Sequence, residues 1–183
     1  MKQITINIPE GKKAEWVNGV LTLVDEKPTN VMERVKTFED ACRELGEDHP
    51  FVRAYQGINM CGHENAEENR EILAYIKLRI IAAALNEGWQ PQYTANEWRW
   101  YPWFYLLTEE ELSKKDDDWK YDHALISTED YLDDYAGFVC ASSDNAPSDT
   151  GSYVGSRLCF KSKVLATYCG KQFINLWKDY ILK

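Results

Sequence analysis

No run of apolar residues in this 183-residue chain approaches the roughly 20 that span a bilayer, so no transmembrane helix is expected. The first residues, Met1 to Ile8, alternate apolar and polar side chains where a signal peptide would be continuously apolar, and they read as a strand. Five cysteines (Cys42, Cys61, Cys140, Cys159, Cys169), an odd number at irregular spacing, form no disulfide framework, which makes a reducing cytoplasm the simplest compartment. Cys61 and His63 offer two zinc ligands, but a structural site needs four and no second pair follows at ligand spacing. A calcium loop starting at Asp116 would need glycine and glutamate where Tyr121 and Ser127 stand. The stretch from Gly151 to Ser156 lacks the lysine and the following helix of a phosphate-binding loop. The histidines His49, His63 and His123 are isolated, and Cys159 lies between Leu158 and Phe160 like a small buried hydrophobe. No nucleophile–base pair, metal set or cofactor motif can be named, so enzymatic chemistry is not indicated.

Large rings are what the chain has in abundance. Residues 98–107 read Trp-Arg-Trp-Tyr-Pro-Trp-Phe-Tyr-Leu-Leu within a composition that is 44% hydrophobic and 13% aromatic. At 21.3 kDa the chain fits one domain with a true core. The aromatic stretch reads as a strand carrying Trp98, Trp100, Pro102, Phe104 and Leu106 on one face and Arg99, Tyr101, Trp103, Tyr105 and Leu107 on the other. Pro102 cannot donate a ladder hydrogen bond and argues for an edge strand or a bulge. Most of these rings belong in a core, with the side of Arg99 and Tyr101 left open as a binding face.

Elsewhere, Asn18-Gly19 between two alternating runs predicts a type I′ hairpin, or a meander if Ile4, Ile6 and Ile8 add a strand. Thr37 caps a short helix to about Leu45, and another short helix spans about Pro50 to Tyr55 before an irregular stretch from Gly57 to Gly62. A long helix runs from about Asn65 or Ala66 to Asn86, its stripe including Leu73, Ile76, Ile80 and Ala84 and joined by Ile72, Ile81 and Leu85. Strands are expected at Gly137 to Ala141 and Tyr153 to Phe160, with a loop at 142–152. One amphipathic helix, capped by Ser162, reaches the end, and Gly170 inside it predicts close packing on the sheet. Hairpin strands and helices are segregated, which assigns α+β, with an antiparallel sheet of N-terminal hairpin and C-terminal strands packed with two longer helices.

The net charge of −9 is concentrated. Between Thr108 and Tyr135 stand eleven acids, among them Asp116, Asp117, Asp118 and Asp122, against three lysines. Two readings stay open for this segment: a solvated insertion between better-ordered elements, or a binding surface for something basic. As an insertion it should be removable without unfolding the domain.

Tyr101-Pro102-Trp103-Phe104, then Gly155-Ser156-Arg157-Leu158-Cys159-Phe160-Lys161-Ser162 and Gly170-Lys171-Gln172-Phe173, resemble an uncharacterised family of proteins from phages and integrated elements of gut Bacteroidales bacteria. The similarity covers about residues 79–183, and the acidic stretch departs from the family's shorter pattern. What the resemblance implies is a genomic setting, with no chemistry attached. Two functions follow as expectations. The first is a non-enzymatic interaction protein whose acidic surface engages a basic protein. The second is a small-ligand or glycan-binding module built on Trp98, Arg99, Tyr101 and Trp103. Nucleic acid is not the expected partner, since the pI is about 4.9 and the bases are scattered.

Overall fold

The computed structural model describes residues 5–60, 69–92, 94, 96–128, 132, 134–145 and 156–182. Asn18 and Gly19 take positive φ angles of 51° and 80°, which turns β1 (Lys12–Val17) back on β2 (Val20–Asp25) in antiparallel register. This hairpin is a sheet of its own and does not join the second one. Residues 5–9 lie in no strand, so the expected run through Ile6 and Ile8 adds nothing to it; Ile4 falls outside the described residues.

Four helices follow: α1 (Val31–Arg34), α2 (Phe38–Leu45), α3 (Pro50–Met60) and α4 (Arg70–Asn86). At the start of α2, Thr37 Oγ1 accepts from the Asp40 amide at 3.1 Å while the Asp40 carboxylate accepts from the Thr37 amide at 2.9 Å. Helix α3 continues through Gly57 to Met60, where an irregular stretch was expected, because packing against α4 outweighs the helix penalty of one glycine. The beginning expected for α4 lies outside the described residues. Its second half is buried on nearly every side, since α2 and α3 cover one flank and the C-terminal helices the other; Ile72, assigned to the buried stripe, is exposed.

The main sheet has β5 (Gly137–Asn145) at its centre, flanked antiparallel by β3 (Trp100–Leu107) and the two-residue β4 (Ile126–Ser127). Trp100 turns its amide and carbonyl outward to Phe160, in hydrogen bonds of 3.1 and 2.8 Å. Pro102, two residues on, therefore also faces the open edge, where its missing N–H is not required. A register shift opposite Trp103 and Phe104 leaves Ala141 as the extra residue of a bulge.

The third strand expected over Tyr153 to Phe160 is absent from its described part, Ser156 to Phe160. Residues 153–155 lie outside the described residues, Ser156–Leu158 is a turn of 3₁₀ helix, and only Phe160 bridges to Trp100. On the far side of Phe160 a side chain does the work of a strand: Asn86 Nδ2 donates to the Cys159 carbonyl at 2.8 Å and its Oδ1 accepts from the Lys161 amide at 3.0 Å.

The terminal helix is broken in two, α7 (Lys163–Gln172) and α8 (Ile174–Leu182), with Phe173 between them. The break reconciles two packing directions, since α7 lies on β3 and β5 whereas α8 lies chiefly on α4. Ser162 caps α7 by accepting from the Leu165 amide. Phe104, on β3, stacks on Phe138 and meets Trp177 of α8. None of the described helices is long and apolar enough to cross a membrane.

At the end of α4, Glu87 adopts the left-handed conformation, and its carboxylate accepts from Lys161 Nζ at 2.8 Å and from Arg34 Nη2 at 2.6 Å. Those two bonds, the first above all, hold its carboxyl below the usual carboxylate range. A depressed folded-state pKa adds stability that is present above the unfolded value and is lost as pH falls through the folded one. In urea titrations wild type should exceed Glu87→Gln by less than about 1 kcal/mol at neutral pH, the group being partly exposed, and the gap should close in acid.

Candidate functional site

The acidic segment is built, not merely solvated. Helix α5 (Glu109–Ser113) opens on a reciprocal cap in which Thr108 Oγ1 accepts from the Glu111 amide and the Glu111 carboxylate accepts from the Thr108 amide at 3.0 Å. The bond from the Thr108 amide lowers the Glu111 pKa. Helix α6 (Asp117–Asp122) begins with Asp116 Oδ1 accepting from the Trp119 amide at 2.7 Å. Lys115 Nζ lies 4.6 Å from the centre of the Trp119 ring, and the His123 imidazole stacks on that ring at 3.9 Å. His123 Nδ1–H donates to the Trp119 carbonyl at 2.8 Å, and the His123 carbonyl accepts from the Cys140 amide of β5.

Leu112 of α5 and Leu125, three residues after α6, reach the sheet. A Cβ at Gly137 would lie 2.7 Å from Leu125 Cδ1 and 3.7 Å from both Leu112 methyls, so the two side chains roof that position. Thr128 is fully buried, its hydroxyl donating to the Tyr135 carbonyl at 2.7 Å. The segment also supplies β4, an edge of the main sheet. The expectation that deleting 109–134 would leave the domain folded is therefore corrected: the deletion would take away an edge strand and uncover the face around Gly137. A count of charges could not show this, because two leucines and one threonine carry the attachment.

Most of what points outward is acid, with Lys114 paired to Glu110 and Lys120 to Asp117. Glu109, Glu110, Asp117, Asp118 and Asp122 are all exposed, as is Tyr121. Asp116 is engaged at a helix end, while Asp117, Asp118 and Asp122 stand on one short helix beside it. Of the remaining acids, Glu129, Asp130 and Asp133 lie outside the described residues.

The aromatic strand divides differently from its alternation. Arg99 and Tyr101, expected on an open face, are 1% and 7% exposed, so that part of the candidate site is corrected. Period two assigns a side but cannot say what covers it. Trp98 and Trp103 remain open, at 54% and 41%. Trp98 stacks with Trp100, whereas Trp103 alternates with Tyr105 on the other side, so the open rings form two separate patches in place of one platform.

One surface was missed. In the hairpin register Ala14 faces Leu23 and Trp16 faces Leu21, which places four apolar side chains on one face. Trp16 is 74% exposed, and Leu21 and Leu23 are also open. The signal was present in the alternation of 14–17 and 20–24, which marks one apolar face but not whether the chain covers it.

Among the described residues, no three His, Cys, Asp or Glu side chains gather as a metal ion would require. Burial pushes the Cys140 and Cys159 thiols up to about 11, so both are protonated at neutral pH. Comparison with models of known families, with curated proteins and with solved structures found no match.

Proposed function

We propose that this chain is a non-enzymatic interaction protein whose acidic helices α5 and α6 engage a basic protein partner. The setting is the one its resemblance implies, a phage or integrated element acting in the cytoplasm of a bacterial host. The observation that carries this reading is the anchoring of α5 and α6: caps and leucines fix the helices, and five carboxylates project from them in a set arrangement. A fixed acidic surface steers and selects a basic partner more effectively than a floppy one, since less order is lost on binding. The bare apolar face of the hairpin agrees with a protein that completes itself against another.

The test replaces charge without touching the caps. A variant with Glu109→Gln, Glu110→Gln, Asp117→Asn, Asp118→Asn and Asp122→Asn should keep the wild-type circular dichroism and melting curve. In affinity capture from host lysate it should lose the basic proteins that wild type retains at low salt, and about 0.5 M salt should release them from wild type too. Capture of the same set by both proteins would overturn the proposal.

A further inference from the structure

A cleft of about 630 Å³ lies between the start of α3, the second half of α4 and the turn after it, and its size is that of a small-molecule site. Its lining includes Arg79, Arg157 and His49 together with the rings of Phe51 and Trp89, and no carboxylate. That is a local reversal in a chain of net charge −9. Elsewhere arginines are matched: Arg34 pairs with Glu44 and Glu87, Arg43 with Asp40, Arg53 with Asp48. Arg79 and Arg157 form no ion pair among the described residues. The carboxylates next in sequence to lining residues are engaged, Asp48 by Arg53 and Glu87 by Arg34 and Lys161, while Glu97 lies close enough for its charge to act on the lining thiol of Cys159.

The walls are prepared as well as charged. The Arg79 guanidinium sits 4.4 Å from the centre of the Phe51 ring, which limits its orientations while leaving N–H edges for an acceptor. His49 accepts from the Phe51 amide through Nδ1 and packs edge-on against the same ring. Asn86 has both ends of its amide committed to Cys159 and Lys161, so the floor does not depend on a ligand. Trp89 adds a second flat apolar surface.

We propose that this cleft binds a nucleoside monophosphate. Two guanidiniums in the lining match a dianionic phosphate in charge, and each carries the planar N–H donors that phosphate oxygens accept. The Trp89 ring offers an apolar wall for a planar base, and the Arg79 guanidinium held on Phe51 offers a flat cationic one. The site is separate from the acidic helices and stands or falls independently of them.

Isothermal titration of the full chain at low salt tests it, with AMP, GMP, CMP and UMP, the four nucleosides, inorganic phosphate and a ten-nucleotide single strand as probes. At least one monophosphate should bind about tenfold or more tightly than both its own nucleoside and phosphate, a margin of about 1.4 kcal/mol. Arg157→Gln, at an exposed position, and Arg79→Gln should each weaken it about tenfold. Ala83→Leu, which narrows the cleft and leaves every charge in place, should weaken it with the melting temperature kept. Absence of heat from all four monophosphates, equal binding of phosphate alone, unchanged affinity in the double arginine variant, or tighter binding of the single strand would each overturn the proposal.

Discussion

Gly170→Ala should destabilise the protein by about 2 kcal/mol, although alanine is by far the better helix former. A Cβ there would stand 2.5 Å from Cys140 Sγ and 2.9 Å from Pro102 Cβ, inside any tolerated contact. Alanine returns about 1 kcal/mol of helix propensity, but overlap on two sides costs more, because neither neighbour can yield. Pro102 is a rigid ring on β3, and Cys140 is fully buried in β5. Differential scanning calorimetry should show a melting temperature lower by about 4–8 °C. Adding Cys140→Ala to Gly170→Ala should recover part of the loss, leaving the clash with Pro102. A Gly170→Ala protein as stable as wild type would mean that α7 stands further from the sheet. Gly137→Ala is the informative contrast. Its closest contact is the tip of a leucine, which can rotate away, so the cost should be smaller.

Asn86→Ala should cost still more, about 3 kcal/mol. The side chain is 5% exposed and joins the end of α4 to the chain on both sides of Phe160. Truncation would orphan the Cys159 carbonyl and the Lys161 amide, and an unsatisfied buried polar group costs roughly 1–3 kcal/mol. Asn86→Asp separates the two bonds. It keeps an acceptor for Lys161 but sets a carboxylate against the Cys159 carbonyl, so it too should be destabilised, more at neutral pH than in acid. Urea unfolding at two pH values measures both. A midpoint within error of wild type for Asn86→Ala would show that water replaces the amide without penalty.

These two residues also mark how far the sequence could be read. Gly170 inside a helix and Pro102 inside a strand each announced a special environment, because each residue type carries a backbone cost that only a close approach or an open edge explains. Asn18-Gly19 and Thr37 were legible for the same local reason. Asn86 was not. It sits at the end of a regular helix, and its role depends on a segment more than seventy residues away. At 156–160, the described part of the strand expected over 153–160, the reading failed likewise, since apolar alternation does not reveal that an amide side chain replaces a neighbouring strand. For the candidate site, the location of charge was legible and its attachment was not. Leu112, Leu125 and Thr128 are ordinary residues among conspicuous acids. Alternation predicts at least partial cover on both faces of the aromatic strand, but it left open the side of Arg99 and Tyr101, which is buried.

The packing of α8 against α4 has a consequence for biosynthesis. Leu78, Ile81 and Leu85 are fully buried in the finished protein, and α8, one of their neighbours, comes nearly ninety residues after α4 ends. A chain emerging from the ribosome therefore holds an apolar helix without its main C-terminal cover until 174–182 has been translated. During that interval it is a client for holdase chaperones, and a premature stop at Phe173 would leave it one permanently.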